Sequence, residues 1–385
     1  MSALFAEGFT GVARGTVNTM AAVVPLKSLN WQANAIYNGN TAVTASDTNH
    51  QMTIEADPIF ATRNRLSVKA GLVSAVTSYI QQYKMPLDTT GFEKFVIGFV
   101  FNMDSTTSTT GNFQFVFAGP TMWTSSTATP PANELFAGLI FPDNGADGTA
   151  YAFSGSPGAT TPLIKKGKDT HFEALIEQDV DRVRIYLDGT LVLDSTYTGT
   201  FASATGGFSF LIRTTTTIVS TITLKMSNLY VLGLDTIHTG VLGPSTRVLE
   251  QAPQTDKAVE WKRPDGFASN AAVLQQAFNS GVANYLTTGV VATDLYNGLD
   301  AVGQNAATVH GAVFKVQAMT MAEGSHALAS AVSYNGTQLI GTKEYPLTLA
   351  TLQIFNMDVS KNPVTNAKWT PQEIANAGFG YNLVR

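Results

Sequence analysis

Two glutamates four positions apart are the first residues whose type and spacing suit a chemical role. Glu173 and Glu177 lie in the alternating segment HFEALIE, and residues four apart on a strand share one face. Two carboxylates facing across a cleft are what glycoside hydrolysis requires. The alternation alone also explains them as solvated residues on the outer face of a strand. We expect this second interpretation, so neither glutamate is assigned as catalytic.

A serine nucleophile of the elbow type needs a sharp turn with the pattern G-x-S-x-G. The segment SGSPG, residues 154–158, comes nearest and puts Ser156 in the nucleophile position. Ser154 stands where the first glycine belongs, and Pro157 lacks the N–H that an oxyanion hole needs. We therefore expect a surface turn and assign no catalytic residue.

Metal and cofactor sites are also not expected. An acidic loop could offer oxygen ligands to Ca²⁺, but it lacks the spacing of a calcium loop and is better explained as a turn; its residues are Asp143, Asn144, Asp147 and Gly148. None of the histidines has metal-like spacing; they are His50, His171, His238, His310 and His326. His171 is expected to be a packed or solvated residue at a strand start. The chain has no cysteine and no glycine-rich phosphate loop.

The composition favours strands and protein surfaces over nucleic acid. Charged residues make up 13% of the chain and the net charge is -5, while Thr, Ser, Asn and Gly are abundant. Few charges suit surfaces that meet other subunits. Nucleic acid is not an expected partner, because the run 165–168 is the kind of short basic stretch found in exposed turns. Trp123, Tyr151 and Tyr197 could stack on sugars if exposed, although aromatics in a sandwich are more often core.

The elements that must position these side chains are predicted to be strands. Residues 171–197 form a three-stranded meander with a turn at 179–181, because inward positions alternate and Asp188-Gly189 tolerates the positive φ of a tight hairpin. Residues 347–355 are predicted to be a further strand, and residues 271–286 have helical spacing.

One short helix has a complete start signal near the end of the chain. Thr370 is the expected N-cap, Pro371 takes the first helical position, and Glu373 completes a capping box. No run of about 18 apolar residues exists, so membrane insertion is not expected, and the start of the chain lacks the basic and apolar regions of a signal peptide.

The fold class predicted from these patterns is all-β, with two tandem β-sandwiches and few short helices. Residues 1–45 are an N-terminal arm and first strand, proposed as a docking segment. Residues 46–235 are the first sandwich, and 236–247 are a linker broken by Gly-Pro. Residues 248–385 are the second sandwich, which ends in the short helix.

The first sandwich resembles the concanavalin and laminin-G-like jelly rolls. The resemblance covers about residues 50–235 and is carried by His171 followed by the segment VRIYLDG, residues 183–189, and by Val192. Phe9 and Trp31 are similar to the landmarks that open the phage versions of this domain. The resemblance implies a jelly-roll fold and says little about function.

The second half, about residues 240–385, resembles the C-terminal half of a group of phage virion proteins that carry the same sandwich in front. The matching landmarks are Gly243-Pro244, Arg247-Val248, Glu260-Trp261, Asp294-Leu295-Tyr296, residues 309–318, the segment NPVTNAKWT at 362–370, and Glu373-Ile374. The last segment is the most specific. Lys315 replaces a small or apolar residue, and residues 347–355 are more hydrophobic than in those proteins.

The resemblance implies a structural protein of a bacteriophage particle, in the tail, baseplate or fibre region. The expected partners are copies of the chain, other virion proteins and glycans of the host surface, and the expected location is the virion after synthesis in the host cytoplasm. A capsid decoration protein is the alternative in the same class. A lectin module for host glycans is the alternative in another class. Since no catalytic motif was found, the chain is predicted not to be an enzyme.

Overall fold

The computed structural model divides the chain into two compact units, residues 14–247 and residues 248–385 together with 1–13. It describes residues 2–7, 15–17, 32–37, 41–42, 50–58, 64–71, 79–85, 91–106, 113–118, 135–141, 149–152, 164–196, 208–214, 221–234, 240–280, 285–298 and 305–385. Antiparallel strands dominate these residues, so the prediction of an all-β sandwich protein with few short helices is confirmed.

The strands up to residue 233 are, in chain order, β1 (Ser2–Glu7), β2 (Gly15–Val17), β3 (Gln32–Tyr37), β4 (Thr41–Ala42), β5 (His50–Ala56), β6 (Asn64–Gly71), β7 (Tyr79–Met85), β8 (Lys94–Thr106), β9 (Phe113–Ala118), β10 (Leu135–Phe141), β11 (Thr149–Ala152), β12 (Thr170–Glu177), β13 (Arg182–Leu187), β14 (Thr190–Thr196), β15 (Phe208–Thr214) and β16 (Thr221–Gly233). A short 3-10 helix, Gln178–Val180, joins β12 to β13.

The first unit is built from two antiparallel sheets. One runs in the order β14-β13-β12-β8-β16-β6-β5-β2, and the other runs β11-β10-β9-β15-β7-β3-β4. Strands β2, β3 and β4, which come from the segment predicted to be an arm, are thus members of these sheets. The docking role proposed for residues 1–45 stays a prediction.

Alternating apolar positions build the core of the first unit. Phe99 of β8 stacks on Phe172 of β12 with ring centroids 4.9 Å apart, and both side chains are fully buried. Leu66 and Leu224 bring β6 and β16 into the same core. Because side chains on a strand alternate between faces, the residues next to these point to the outer face of the sheet.

The predicted meander at 171–197 is confirmed. β12 pairs with β13 from Phe172↔Leu187 to Glu177↔Arg182, and β13 pairs with β14. Asp188 and Gly189 join β13 to β14 with φ of 48° and 82°, the conformation that a two-residue hairpin of this hand requires.

The second unit contains β17 (Asp256–Val259), α1 (Asn270–Ser280), β18 (Thr293–Asn297), β19 (Val313–Ala318), β20 (Ala327–Tyr334), β21 (Thr337–Ile340), β22 (Tyr345–Pro346), β23 (Gln353–Asp358), α2 (Pro371–Asn376) and β24 (Gly378–Leu383). Its main sheet runs β17-β18-β24-β20-β21, with β22 also on β20, and β19 pairs with β23 as a separate ribbon. One core lies between sheet, ribbon and α1, where Tyr296 and Leu328 meet Met357 and Val273.

A second core surrounds Trp369 and contains Val332 and Phe379 of the sheet and Ile374 of α2. The predicted start of α2 is confirmed in detail: the Thr370 hydroxyl accepts from the Glu373 main-chain N–H, and the Glu373 carboxylate accepts from that of Thr370. The helix predicted at 271–286 is present as α1 over Asn270–Ser280; residues 281–284 lie outside the described residues, and Tyr285 and Leu286 are not helical.

The prediction of one strand over residues 347–355 is wrong. The chain turns between Thr348 and Thr351, where Ala350 has a φ of 52°, and the strand β23 starts only at Gln353. The apolar residues of this segment therefore do not share one strand face. No helix in the described part of the chain is long and apolar enough to cross a membrane.

Candidate functional site

Glu173 and Glu177 lie on the outer face of β12, as the alternation predicts, but the expectation that they are solvated is wrong. Glu173 is 0% exposed and Glu177 is 6% exposed. The Glu173 carboxylate accepts hydrogen bonds from the main-chain N–H groups of Leu242 and Gly243 at 2.7 Å and 2.9 Å. Residues 240–243 therefore bond directly to the outer face of the sheet at this point. A buried carboxylate requires such donors, because an unpaired charge there would be strongly unfavourable.

Tyr230 of β16 supplies the third hydrogen bond to Glu173, from its hydroxyl at 2.7 Å. The same hydroxyl oxygen lies 3.3 Å from Nε2 of His171, which is 4% exposed. Because the tyrosine proton goes to the carboxylate, the contact is satisfied when His171 carries its proton on Nε2. Nδ1 of His171 then has no hydrogen-bond partner. His171 is thus a packed residue at the strand start, one of the two outcomes expected for it.

Gly98 of β8 makes room for this arrangement. Gly98 pairs with Glu173 on one side and Tyr230 on the other, in the middle of the sheet. A Cβ atom at position 98 would lie 2.1 Å from Cζ of Tyr230, so the ring crosses the strand where a side chain is missing. A glycine inside a strand often marks this kind of close approach.

The electrostatics of the cluster favour neutral His171 and Tyr230 beside the carboxylate. Burial lowers the pKa of His171, and the charge of Arg247 lowers it further, while Glu173 and Asp188 act in the opposite direction. Burial raises the pKa of Tyr230, and the Glu173 charge adds to this. The cluster therefore holds a proton donor and a carboxylate acceptor in fixed positions, closed off from water.

Glu177 is buried for a different reason. Its carboxylate lies 2.5 Å from the guanidinium of Arg184 and 3.3 Å from the ammonium group of Lys94. These long side chains come from β13 and β8 and cover the carboxylate at the edge of the outer face. The two glutamates are four residues apart but have separate partners, so the structure does not bring them together as a catalytic pair.

A small polar cleft lies on the same outer face, next to the Glu173 cluster, and its volume of about 170 Å³ includes open solvent. Its polar lining comes from strands β6, β8 and β16 and from two loops, and consists of Asp57, Arg65, Asn102, Asp169, Lys225 and Ser227. Residues 102 and 225 are directly paired across β8 and β16. Side chains far apart in the sequence are thus gathered by the pairing of neighbouring strands.

Ion pairs hold the side chains of the cleft in position. Arg65 lies 2.5 Å from the Glu55 carboxylate and 3.9 Å from that of Asp169. The Lys225 ammonium group lies 3.4 Å from Glu55 as well. Nδ2 of Asn102 donates to the Gly167 carbonyl and to Asp169, each at 2.9 Å. The cleft therefore presents fixed carboxylate, amide and cationic groups, which is the kind of lining that orients a polar ligand.

A buried polar network in the second unit has a structural role. The Asp294 carboxylate, 0% exposed, accepts from the main-chain N–H groups of Glu260 and Trp261, from the Asn270 amide and from the Tyr296 hydroxyl. It joins the end of β17, the start of α1 and β18.

Several residues considered from the sequence lie outside the described residues. They are Ser156 and its turn, the loop with Asp143, Asn144, Asp147 and Gly148, the residues Trp123, Tyr197 and His238, and the side chains of Tyr151 and His50. Within the described residues, no group of three or more acidic or histidine side chains could hold a metal ion.

The sequence analysis missed the glycine that makes room for the Glu173 cluster and the residues that line the cleft. Gly98 could have been noticed, because a glycine in the apolar run FVIGFVF is unusual in a buried strand. Arg65, Asn102 and Lys225 carry no such signal, since isolated polar residues on alternating strands look like an ordinary solvated face. Their convergence depends on strand order, which the sequence pattern does not give.

No protein-family model and no curated protein sequence matches this chain. Solved structures do match. An alginate lyase, Aly36B, is 13% identical with a TM-score of 0.37, and the match covers 61% of this chain and 99% of the lyase. A carbohydrate-binding module, CBM66 from Bacillus subtilis, is 14% identical with a TM-score of 0.27 and covers 47% and 91%. These neighbours are jelly-roll β-sandwiches.

A sialidase also matches, with 14% identity and a TM-score of 0.38; the match covers 60% of this chain and only 19% of the sialidase. The prediction that the chain is not an enzyme is corrected here, because lyases and a sialidase are among the matching structures and the fold does not exclude carbohydrate-processing activity. The prediction was based on missing sequence motifs. In a sandwich, however, side chains from different strands can meet without a local motif, as those of His171 and Tyr230 do.

Proposed function

We propose that the first unit is a glycan-binding module. The observation that carries this proposal is the cleft on the outer face of the sheet, where carboxylate, amide, guanidinium and ammonium groups from several strands are held in place by one another. Sugar hydroxyls both donate and accept hydrogen bonds, and such a lining offers partners of both kinds. A rigid scaffold that fixes these groups lowers the entropic cost of binding a ligand.

The experiment is a glycan array with the full chain, followed by calorimetry on the best oligosaccharides. Arg65→Ala and Asp169→Asn each remove one lining group, and we expect each to weaken binding about 10- to 100-fold, the effect of losing a hydrogen bond to a charged partner. Product analysis of the same mixtures tests for cleavage of the glycan.

Matched controls exist on the same sheet. Arg182 of β13 forms an exposed ion pair with Asp194 of β14, its Nε 2.7 Å from the carboxylate, and neither residue lines the cleft. Arg182→Ala and Asp194→Asn should leave binding within twofold of the wild type. Absence of binding to all glycans tested, or equal losses in the control variants, would refute the proposal.

The second candidate is a structural protein of a bacteriophage virion, located in the tail, baseplate or fibre, or on the capsid as a decoration protein. It is favoured by the resemblance of the second half to phage virion proteins and by exposed apolar residues at one end of the second unit. These residues are Val290, Val291, Met319, Met321, Leu349 and Leu352, between 42% and 74% exposed. They lie in loops where β18 and β20 begin, where β19 ends and before β23 begins.

Exposed apolar residues in several loops of one unit suit a surface that other subunits cover. We propose copies of the same chain as its partner, since most assemblies of this type are symmetric. Mass spectrometry and cryo-electron microscopy of purified particles test the candidate: symmetric copies on the tail or head are expected, and absence from particles refutes it. Crosslinks from residues 1–45 to other subunits would support the proposed docking segment. The two candidates are compatible, because a virion protein can bind host glycans.

A further inference from the structure

The charges around the cleft indicate which class of glycan it can bind. We infer that the cleft of the first unit binds uncharged saccharides and disfavours saccharides that carry a carboxylate, such as uronic acids. The inference rests on the proposed function and goes beyond it by naming the ligand class.

The cations at the cleft already have carboxylate partners. Glu55 lies between Arg65 and Lys225, 2.5 Å from the first and 3.4 Å from the second. Arg65 also has Asp169 at 3.9 Å. A ligand carboxylate would have to displace one of these protein carboxylates from its cation or bind close to it.

Asp57 also lines the cleft and is 3% exposed, so its charge is largely removed from water. Burial lowers the pKa of Arg247, and the negative charge of Asp57 acts in the opposite direction. The carboxylates at positions 55 and 169 thus match the cations at positions 65 and 225 in charge.

The hydrogen-bonding groups that the lining leaves for a ligand also favour an uncharged sugar. Both N–H groups of the Asn102 amide are used by Gly167 and Asp169, so only its oxygen is left to a ligand. That oxygen can accept a hydrogen bond from the ligand, and the carboxylates of Asp57 and Asp169 carry negative charge in the same lining. A sugar hydroxyl supplies a donor. An ionised carboxylate only accepts and therefore adds repulsion at these positions.

Calorimetry of the full chain tests the inference with two sets of oligosaccharides of equal length. One set contains neutral oligomers of glucose, galactose or mannose, and the other contains oligomers of uronic acids. We expect at least one neutral oligomer to bind about tenfold or more tightly than every uronate, with affinity unchanged between 0.15 and 0.5 M NaCl, because no net charge is screened. Tighter binding of a uronate would overturn the inference and leave the proposed function standing. Failure of both sets to bind would refute the proposed function itself.

Glu55→Gln tests the charge argument directly. The substitution removes the carboxylate shared by Arg65 and Lys225, which a ligand carboxylate would otherwise have to displace. The ratio of uronate to neutral affinity should rise about tenfold or more. The matched control is Glu344→Gln, which removes an exposed carboxylate 2.5 Å from Arg385 in the second unit and should leave the ratio unchanged. An unchanged ratio in Glu55→Gln, or an equal rise in the control, would overturn the inference.

Discussion

Replacing Glu173 by glutamine should loosen residues 240–247 from the sheet. Glu173 accepts from the Tyr230 hydroxyl and from the main-chain N–H groups of Leu242 and Gly243. Hydrogen bonds to a charged group contribute about 1.5–3 kcal/mol each, and an unsatisfied buried donor costs about 1–3 kcal/mol. Glutamine keeps one acceptor oxygen but turns an NH₂ group toward at least one of these donors. We expect the local opening free energy to fall by about 2–4 kcal/mol.

The assay is hydrogen exchange of the full chain, measured by mass spectrometry on peptides that contain residues 240–247. A loss of 2 kcal/mol corresponds to exchange about 30-fold faster in this segment. The matched control is Glu177→Gln, a buried glutamate on the same strand that pairs with Arg184 and Lys94 instead. It should leave exchange at 240–247 unchanged. If Glu173→Gln also exchanges there at the wild-type rate, the hydrogen bonds to Glu173 do not hold the segment.

Three further outcomes follow from the same contacts. Gly98→Ala should destabilise the chain by about 1–3 kcal/mol in urea denaturation, because its Cβ would overlap the Tyr230 ring, whereas Gly240→Ala, whose Cβ meets nothing within 4 Å, should have little effect. Thr370→Ala should cost about 1 kcal/mol by removing the N-cap of α2, and Thr370→Ser should restore it; equal melting temperatures for both variants would contradict this role. Burial lowers the pKa of His171 below its unfolded value of 6.5, so the unfolded chain binds the proton first and stability should fall as the pH drops from 6.5 toward the folded pKa. His171→Gln should flatten the melting temperature over that range, and an unchanged slope would contradict the assignment.

Local signals predicted the elements that local physics determines. The hairpin at Asp188-Gly189 follows from the two positive φ angles that these residues tolerate, and the capping box at Thr370 follows from hydrogen bonds within one turn. The prediction of a strand over residues 347–355 was wrong for the opposite reason. Their apolar alternation satisfies a strand pattern, but the turn at Ala350 is set by pairing with Thr320, which lies far away in the sequence.

The site was less predictable than the fold. Alternation placed Glu173 on the outer face correctly, but it treats the outer face as solvent, whereas residues 240–243 cover this part of it. The cleft depends on β8 lying between β12 and β16 and on β6 lying beside β16. That order brings Asn102, Lys225 and Arg65 together, and nothing in their local sequence specifies it.

The hydrogen bonds of Glu173 also set a condition on how the chain folds during synthesis. Glu173 is made about seventy residues before Leu242 and Gly243, so on a ribosome the first sheet can form while two donors of this carboxylate are still inside the exit tunnel or not yet translated. A nascent or truncated chain that stops at residue 235 contains Tyr230 but leaves the carboxylate short of its main-chain partners. Completion of the first unit therefore waits for residue 243, and a fragment meant to carry the cleft should extend to residue 247.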